Sequence, residues 1–158
     1  MSLLYCDFCQ MAKQTRVPFP ARTYKPSQPF SLIHSDIWGP SRVNNLSKAK
    51  WFITFIDDHS RTTWVYLLKE KSEAGQTFKQ FHAMVKTQFQ TDIRVLRTDN
   101  GTEYFNSILG NYLSQQGIVH QSSCSGTPQQ NGVAERKNKH LLEVARAIMF
   151  TTNVLKIY

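Results

Sequence analysis

Apolar residues follow two rhythms along this chain. Near its start, LIHSDI (Leu32–Ile37), WFITFID (Trp51–Asp57) and TTWVYLL (Thr62–Leu68) are short runs rich in aromatic and β-branched residues, which is strand chemistry. The turn residues Asp58-His59-Ser60-Arg61 between the second and third runs predict a hairpin, so the three strands read as an antiparallel meander. The period then changes. In Ser72–Gln90, Phe78, Phe81, Val85 and Phe89 recur at helical spacing and predict a helix capped by Ser72 with those residues in the core. IRVLRT is a short strand ending at Asp99-Asn100-Gly101. Asn106–Gln116 is a second helix, with Ile108, Leu109, Tyr112 and Leu113 inward and Gly117 as its stop. Ile118–Gln121 is a last strand. After a loop containing Gly126, Pro128 and Gly132, a long helix runs from about Val133 to Thr151. Asn131 or Gly132 would cap it, and Ala134, Leu141, Ala145 and Ile148 share one face. Three antiparallel strands followed by helix, strand, helix, strand and helix make an α/β order.

Length and composition narrow the class. The chain has 158 residues, 41% of them hydrophobic, enough for one domain with an ordinary core. Its net charge of +8 favours a polyanionic partner. No apolar run is long enough for a membrane span, and the N-terminus lacks an apolar signal core. Three cysteines, Cys6, Cys9 and Cys124, make no disulfide scaffold and suit a reducing, intracellular compartment. Residues 1–28 differ from the rest. Prolines at 18, 20 and 26, with Lys13, Arg16, Arg22 and Lys25, describe an extended basic tether that can follow a phosphate backbone. Cys6 and Cys9 supply two of the four ligands that zinc requires, an incomplete site.

The candidate chemistry is carboxylate chemistry. Asp36 interrupts an apolar strand, Asp99 ends another, and Glu135 lies one turn into the last helix, with 35 residues between the latter two. Hard oxygen donors at element ends can converge on a divalent cation such as Mg²⁺. Taken singly, Asp99 is also an ordinary turn residue, and Glu135 is spaced for a helical ion pair with Lys139. Asp57 and Asp58, between the hairpin strands, suit turn and cap duty. The last helix also carries Arg136, Lys137, Lys139, His140 and Arg146, with Glu135, Lys139 and Arg146 on one stripe.

The runs HSDIWGP, FIDDHSRTTWVYLLKEK, TDNGTEY and GTPQQNGVAERKNK, in that order, resemble the integrase core of copia-type LTR retrotransposons over nearly the whole chain. That resemblance implies a ribonuclease H-like fold, a mixed five-stranded sheet (three antiparallel strands plus two more) flanked by helices. It implies a metal-dependent polynucleotidyl transferase that processes element DNA ends and joins them to target DNA. Asp36 would be shared by two Mg²⁺ or Mn²⁺ ions, with Asp99 and Glu135 each holding one. It implies that Lys139 contacts the element's DNA end; read from the residues themselves, Arg146 shares that stripe, Gln130, Asn131 and Asn138 fit polar DNA contacts, and His34 and Glu103 lie near the carboxylates as supporting candidates. It implies homo-oligomers in the full-length integrase and a nuclear site of integration. Residues 1–28 read as the stub of an N-terminal zinc module without its histidines, plus the linker, and zinc is not expected. Residues 29–158 read as the catalytic core, short of its C-terminal helix, so that Ile148, Met149, Phe150 and Leu155 should be exposed. The loop Ser122–Gly132 should hold Glu135 off until metal or DNA arrives. A ribonuclease H-like nuclease, or an inactive DNA-binding fragment of a polyprotein, are the alternatives. The Asp99–Glu135 spacing and the GTPQQNG loop favour the transferase.

Overall fold

The computed structural model describes residues 27–41, 48–123 and 131–152. The expectations for Cys6 and Cys9, the proline-rich tether, Gln130 and Leu155 lie outside the described residues.

Five strands form one sheet: β1 (Leu32–Trp38), β2 (Trp51–Asp57), β3 (Thr63–Leu68), β4 (Val95–Thr98) and β5 (Val119–Ser122), in the order β3-β2-β1-β4-β5. The first three pair antiparallel, and β1–β4 and β4–β5 pair parallel. This is the expected mixed sheet. The helices are α1 (Ala74–Phe89), α2 (Ser107–Gln115) and α3 (Gly132–Thr151).

Strand side chains alternate between faces, and the two faces are built differently. Ile33, Ile53, Phe55 and Leu96 pack with Phe78, Phe81 and Val85 of α1 and with Leu109 and Leu113 of α2. The Phe55 and Phe81 rings stack at 4.5 Å. The opposite face carries His34, Asp36 and Thr54. Helix α3 covers it with Ala134 and Asn138, both buried. The apolar face supplies the cohesion that lets the other face be polar.

Asp57 and Asp58 do the turn work expected of them. Asp57 accepts hydrogen bonds from the Phe30 N–H at 2.8 Å and from the Ser60 N–H and hydroxyl at 3.0 and 2.8 Å. Asp58 pairs with His34 at 2.8 Å and accepts from the Ser27 hydroxyl. Gly117 ends α2 as expected, at φ +67°, with its N–H and that of Ile118 bonding Ser114 and Leu113 carbonyls.

Several side-chain expectations need correction. Ser72 does not cap α1: a 3₁₀ turn, Lys71–Glu73, precedes the helix, whose N-cap is Glu73. The Ser72 hydroxyl instead donates to the Glu70 carboxylate. Phe89 is 47% exposed, because it sits in the last turn of α1 and reaches only the rim of the core, against Phe30. Ile108 is 70% exposed: the buried stripe of α2 is Leu109 and Leu113, and Ile108 precedes it by one position. Asn131 stands at the N-cap of α3 but makes no side-chain cap bond. Of the predicted α3 stripe only Ala134 is buried. Leu141 is half-buried and Ala145 is exposed, since the second half of the helix runs past the sheet. Ile148, Met149 and Phe150 are exposed as expected.

At Gly39, just beyond β1, φ is +140°, and a Cβ would lie 2.6 Å from the Trp51 ring and 2.7 Å from the Lys50 carbonyl. Gly39→Ala should therefore destabilise the fold by about 2 kcal/mol or more, read from the urea midpoint. An unchanged midpoint would contradict the close approach.

Candidate active site

Asp36 sits on β1 opposite Thr54 of β2. In the parallel pairing of β1 with β4, Leu32, Ile33 and His34 face Val95, Leu96 and Arg97. Continuing that register two residues sets Asp99 beside Asp36 on the same face, at the spacing of neighbouring strands, about 5 Å. The Asp99 carboxylate accepts the Gly101 N–H at 3.0 Å, a tight Asx turn that ends the strand. Glu135 is exposed in the first turn of α3. With Asp36, Asn138, Lys139 and Arg146 it lines an open groove of about 320 Å³.

Asp36 shows the electrostatic result. Its carboxyl is pushed up to about 6, first by burial and then by the charge of Asp99, with Glu135 adding to it. Hydrogen bonds from the Ile37 N–H and the Asn138 amide oppose the shift. Like charges gathered beside a partly desolvated carboxylate hold protons more tightly. Among the described residues, no three His, Cys, Asp or Glu side chains stand close enough to grip one metal ion. Asp99 and Glu135 both act electrostatically on Asp36, and Glu135 shares its groove.

Asn138 and Asn131, expected as DNA contacts, are 2% and 1% exposed. The Thr54 hydroxyl donates to Asn138 Oδ1 at 2.9 Å, and Asn138 Nδ2 donates to Asp36 Oδ2 at 2.9 Å. Asn131 Nδ2 donates to the Ser35 carbonyl. Two asparagines seven residues apart thus stitch α3 to β1 around Ala134. In this structure they position the carboxylate and the helix that carries Glu135. Lys139, 79% exposed, pairs with Glu143 at 3.9 Å, not with Glu135.

His34 and Glu103 bond elsewhere. His34 is buried against Asp58, and burial pulls its imidazole below the ordinary value. The Glu103 carboxylate pairs with Lys71 at 3.2 Å, and the Lys71 ammonium lies over the Trp51 ring. Reading by residue type passed over Thr54, Ser35 and Tyr104. The Tyr104 hydroxyl bonds the Ser35 hydroxyl at 2.9 Å behind the carboxylates, and burial raises its pKa well above the usual tyrosine value. The tyrosine that closes TDNGTEY was the available signal. A larger groove, about 590 Å³, lies between α1 and the Thr102–Tyr104 turn and contains none of the three carboxylates. Chemistry selects the smaller one.

A folded-state pKa above the unfolded one makes ionisation costly to the fold. The contribution of Asp36 is most favourable below pH 3.8 and is lost as pH rises through about 6. Without divalent metal at pH 7.5, Asp36→Asn should stabilise the protein by on the order of 2–3 kcal/mol, with the gain gone near pH 3.5. Urea titrations at both pH values measure this. Equal stability at pH 7.5 would contradict the crowding.

The family model described as "Integrase core domain" matches residues 26–128, a span that includes Asp36 and Asp99. Over 144 residues the chain is 41% identical to the Retrovirus-related Pol polyprotein from transposon TNT 1-94 of Nicotiana tabacum, covering 91% of this chain and 11% of that protein. It is 38% identical over 156 residues to the corresponding polyprotein from transposon RE2 of Arabidopsis thaliana, covering 99% of this chain and 10% of that one. Against the truncated transposon Ty1-A Gag-Pol polyprotein of Saccharomyces cerevisiae it is 34% identical over 149 residues, covering 89% and 12%. The chain thus spans about a tenth of the length of these relatives. In fold it is similar to a chain from the cryoEM structure of the simian T-cell lymphotropic virus intasome in complex with PP2A regulatory subunit B56 gamma. The TM-score is 0.71 at 17% identity, over 96% of this chain and 52% of that one.

Proposed function

This chain belongs to the integrase core domain family, and on that premise we propose that it is the catalytic core of a retrotransposon polynucleotidyl transferase, which processes element DNA ends and joins them to target DNA. One observation carries the reading. Asp99, after the neighbouring parallel strand, and Glu135, on the covering helix, bring their charges to bear on Asp36, which shares a groove with Glu135.

Asp36, Asp99 and Glu135 would hold divalent cations, Mg²⁺ or Mn²⁺. Their oxygen-only donor set suits a hard cation, and the raised proton affinity of Asp36 is the mark of a carboxylate cluster awaiting positive charge. Bound there, the two cations supply charge neutralisation and alignment for in-line phosphoryl transfer. The chain's own residues do the rest. Asn138 fixes one oxygen of Asp36, Thr54 fixes Asn138, and Asn131 holds the start of α3 to β1. Lys139 and Arg146, on the wall of the same groove, hold the phosphate backbone beside the carboxylates. Because Asp36 titrates near pH 6, protons compete with the cations below that pH. The substrates are the element's DNA ends and target DNA, the acting form is a homo-oligomer, and the integration step takes place in the nucleus.

Asp99→Asn retains an oxygen to accept the Gly101 N–H and removes the charge. In a gel assay with Mg²⁺ or Mn²⁺, joining of a labelled duplex end should fall by on the order of a hundredfold or more, with folding and duplex binding retained. Full metal-dependent joining by this variant would overturn the assignment. Cleavage without joining by the wild type would favour the nuclease.

A further inference from the structure

A second groove, basic in its lining, lies on the other flank of α3. It holds about 380 Å³ and is lined by Ile56, Arg61, Val133, Arg136, Lys137 and His140. Four of these six side chains are basic and none is acidic. Arg61 comes from the β2–β3 turn and ion-pairs with Asp58 at 3.6 Å. Asp58 also bonds His34 and Ser27, so its charge is shared. The Arg136 guanidinium folds back on the first turn of α3, so close that a Cβ at Gly132 would stand 2.9 Å from Nη1. That turn carries the positive end of the helix dipole. Its acid, Glu135, lines the opposite groove. Cations gathered at a positive helix end repel one another unless an anion enters between them.

We propose that this groove binds the second phosphodiester backbone of the DNA duplex whose first backbone lies beside the carboxylates. The proposal rests on the DNA-joining function and adds a site to it. The two grooves flank one helix, which with its side chains is about 10–12 Å across. The major groove of B-DNA, about 12 Å wide, admits such a helix with a backbone on either side. The exposed ridge of α3 then faces the duplex. Lys139 and Arg146 meet one strand, and Arg61, Arg136, Lys137 and His140 meet the other. Single-stranded DNA has no second backbone to offer.

The experiment measures fluorescence anisotropy of a labelled 30-base-pair duplex, and of one of its strands alone, against salt concentration. Arg136→Ala/Lys137→Ala is compared with wild type and with Lys86→Ala/Arg94→Ala. The latter removes the same charge from residues outside both grooves. For the first variant, duplex affinity should fall by on the order of tenfold or more at 0.1 M salt, and the log–log salt slope should shrink by about 1.8, or 0.9 per lost phosphate contact. Single-strand binding should change little, and the control should stay near wild type on the duplex. Unchanged duplex affinity, a loss matched by the control, or an equal loss on single and double strands would each overturn the proposal. Metal-dependent joining is assayed in parallel. If wild type binds the duplex but never joins it, the catalytic reading fails. If it joins and the first variant binds normally, this groove alone fails.

Discussion

A charged carboxylate on the buried side of a helix is the constraint around which this domain is built. To hold a cation as proposed, Asp36 would have to be ionised, yet it lies beneath α3 and beside other negative charge, and both conditions favour its proton. Asn138 answers part of that cost. Its amide offers an N–H to Asp36 and takes the Thr54 hydroxyl in return, so every group in the chain Thr54–Asn138–Asp36 is satisfied. A half-satisfied network here would be worse than an apolar contact. The same bonds fix how α3 lies on the sheet, and through it the placement of Glu135.

The sheet's mixed topology provides the other half. An antiparallel meander alone would leave Asp36 isolated. The crossover through α1 returns the chain parallel to β1, in a register that sets Asp99 next to Asp36. Tyr104 and Ser35 are joined on the other face of the sheet, within the apolar core. On that face, Phe55, Phe78 and Phe81 form an aromatic layer whose cohesion does not depend on the site. Substitutions among the carboxylates can therefore change chemistry with little harm to the fold.

Much of this was legible in the sequence. Strands with β-branched and aromatic runs, helices with Phe at helical spacing, and Gly117 as a stop all carry local signals that the fold keeps. The errors share a cause. Ile108, Phe89 and Ala145 lie on the right elements, but periodicity does not tell where an element outruns the surface it packs on. The asparagines show the other limit. Asn138 and Asn131 read as solvent-facing DNA contacts because their residue type is polar. Only the packing of α3 on β1 reveals that the polar partners they need are buried there. His34 and Glu103 were placed near the carboxylates by sequence proximity, and stronger local partners, Asp58 and Lys71, claim them.

The central claim is that Asp36, Asp99 and Glu135 act as one electrostatic unit. Carboxyl ¹³C NMR titration of Asp36 without divalent metal tests it most directly. The account predicts a midpoint near the value of about 6 in wild type, and a clear downward move in Asp99→Asn, with burial keeping it above an ordinary aspartate. An Asp36 that titrates like an ordinary aspartate, and does not respond to loss of the Asp99 charge, would contradict it.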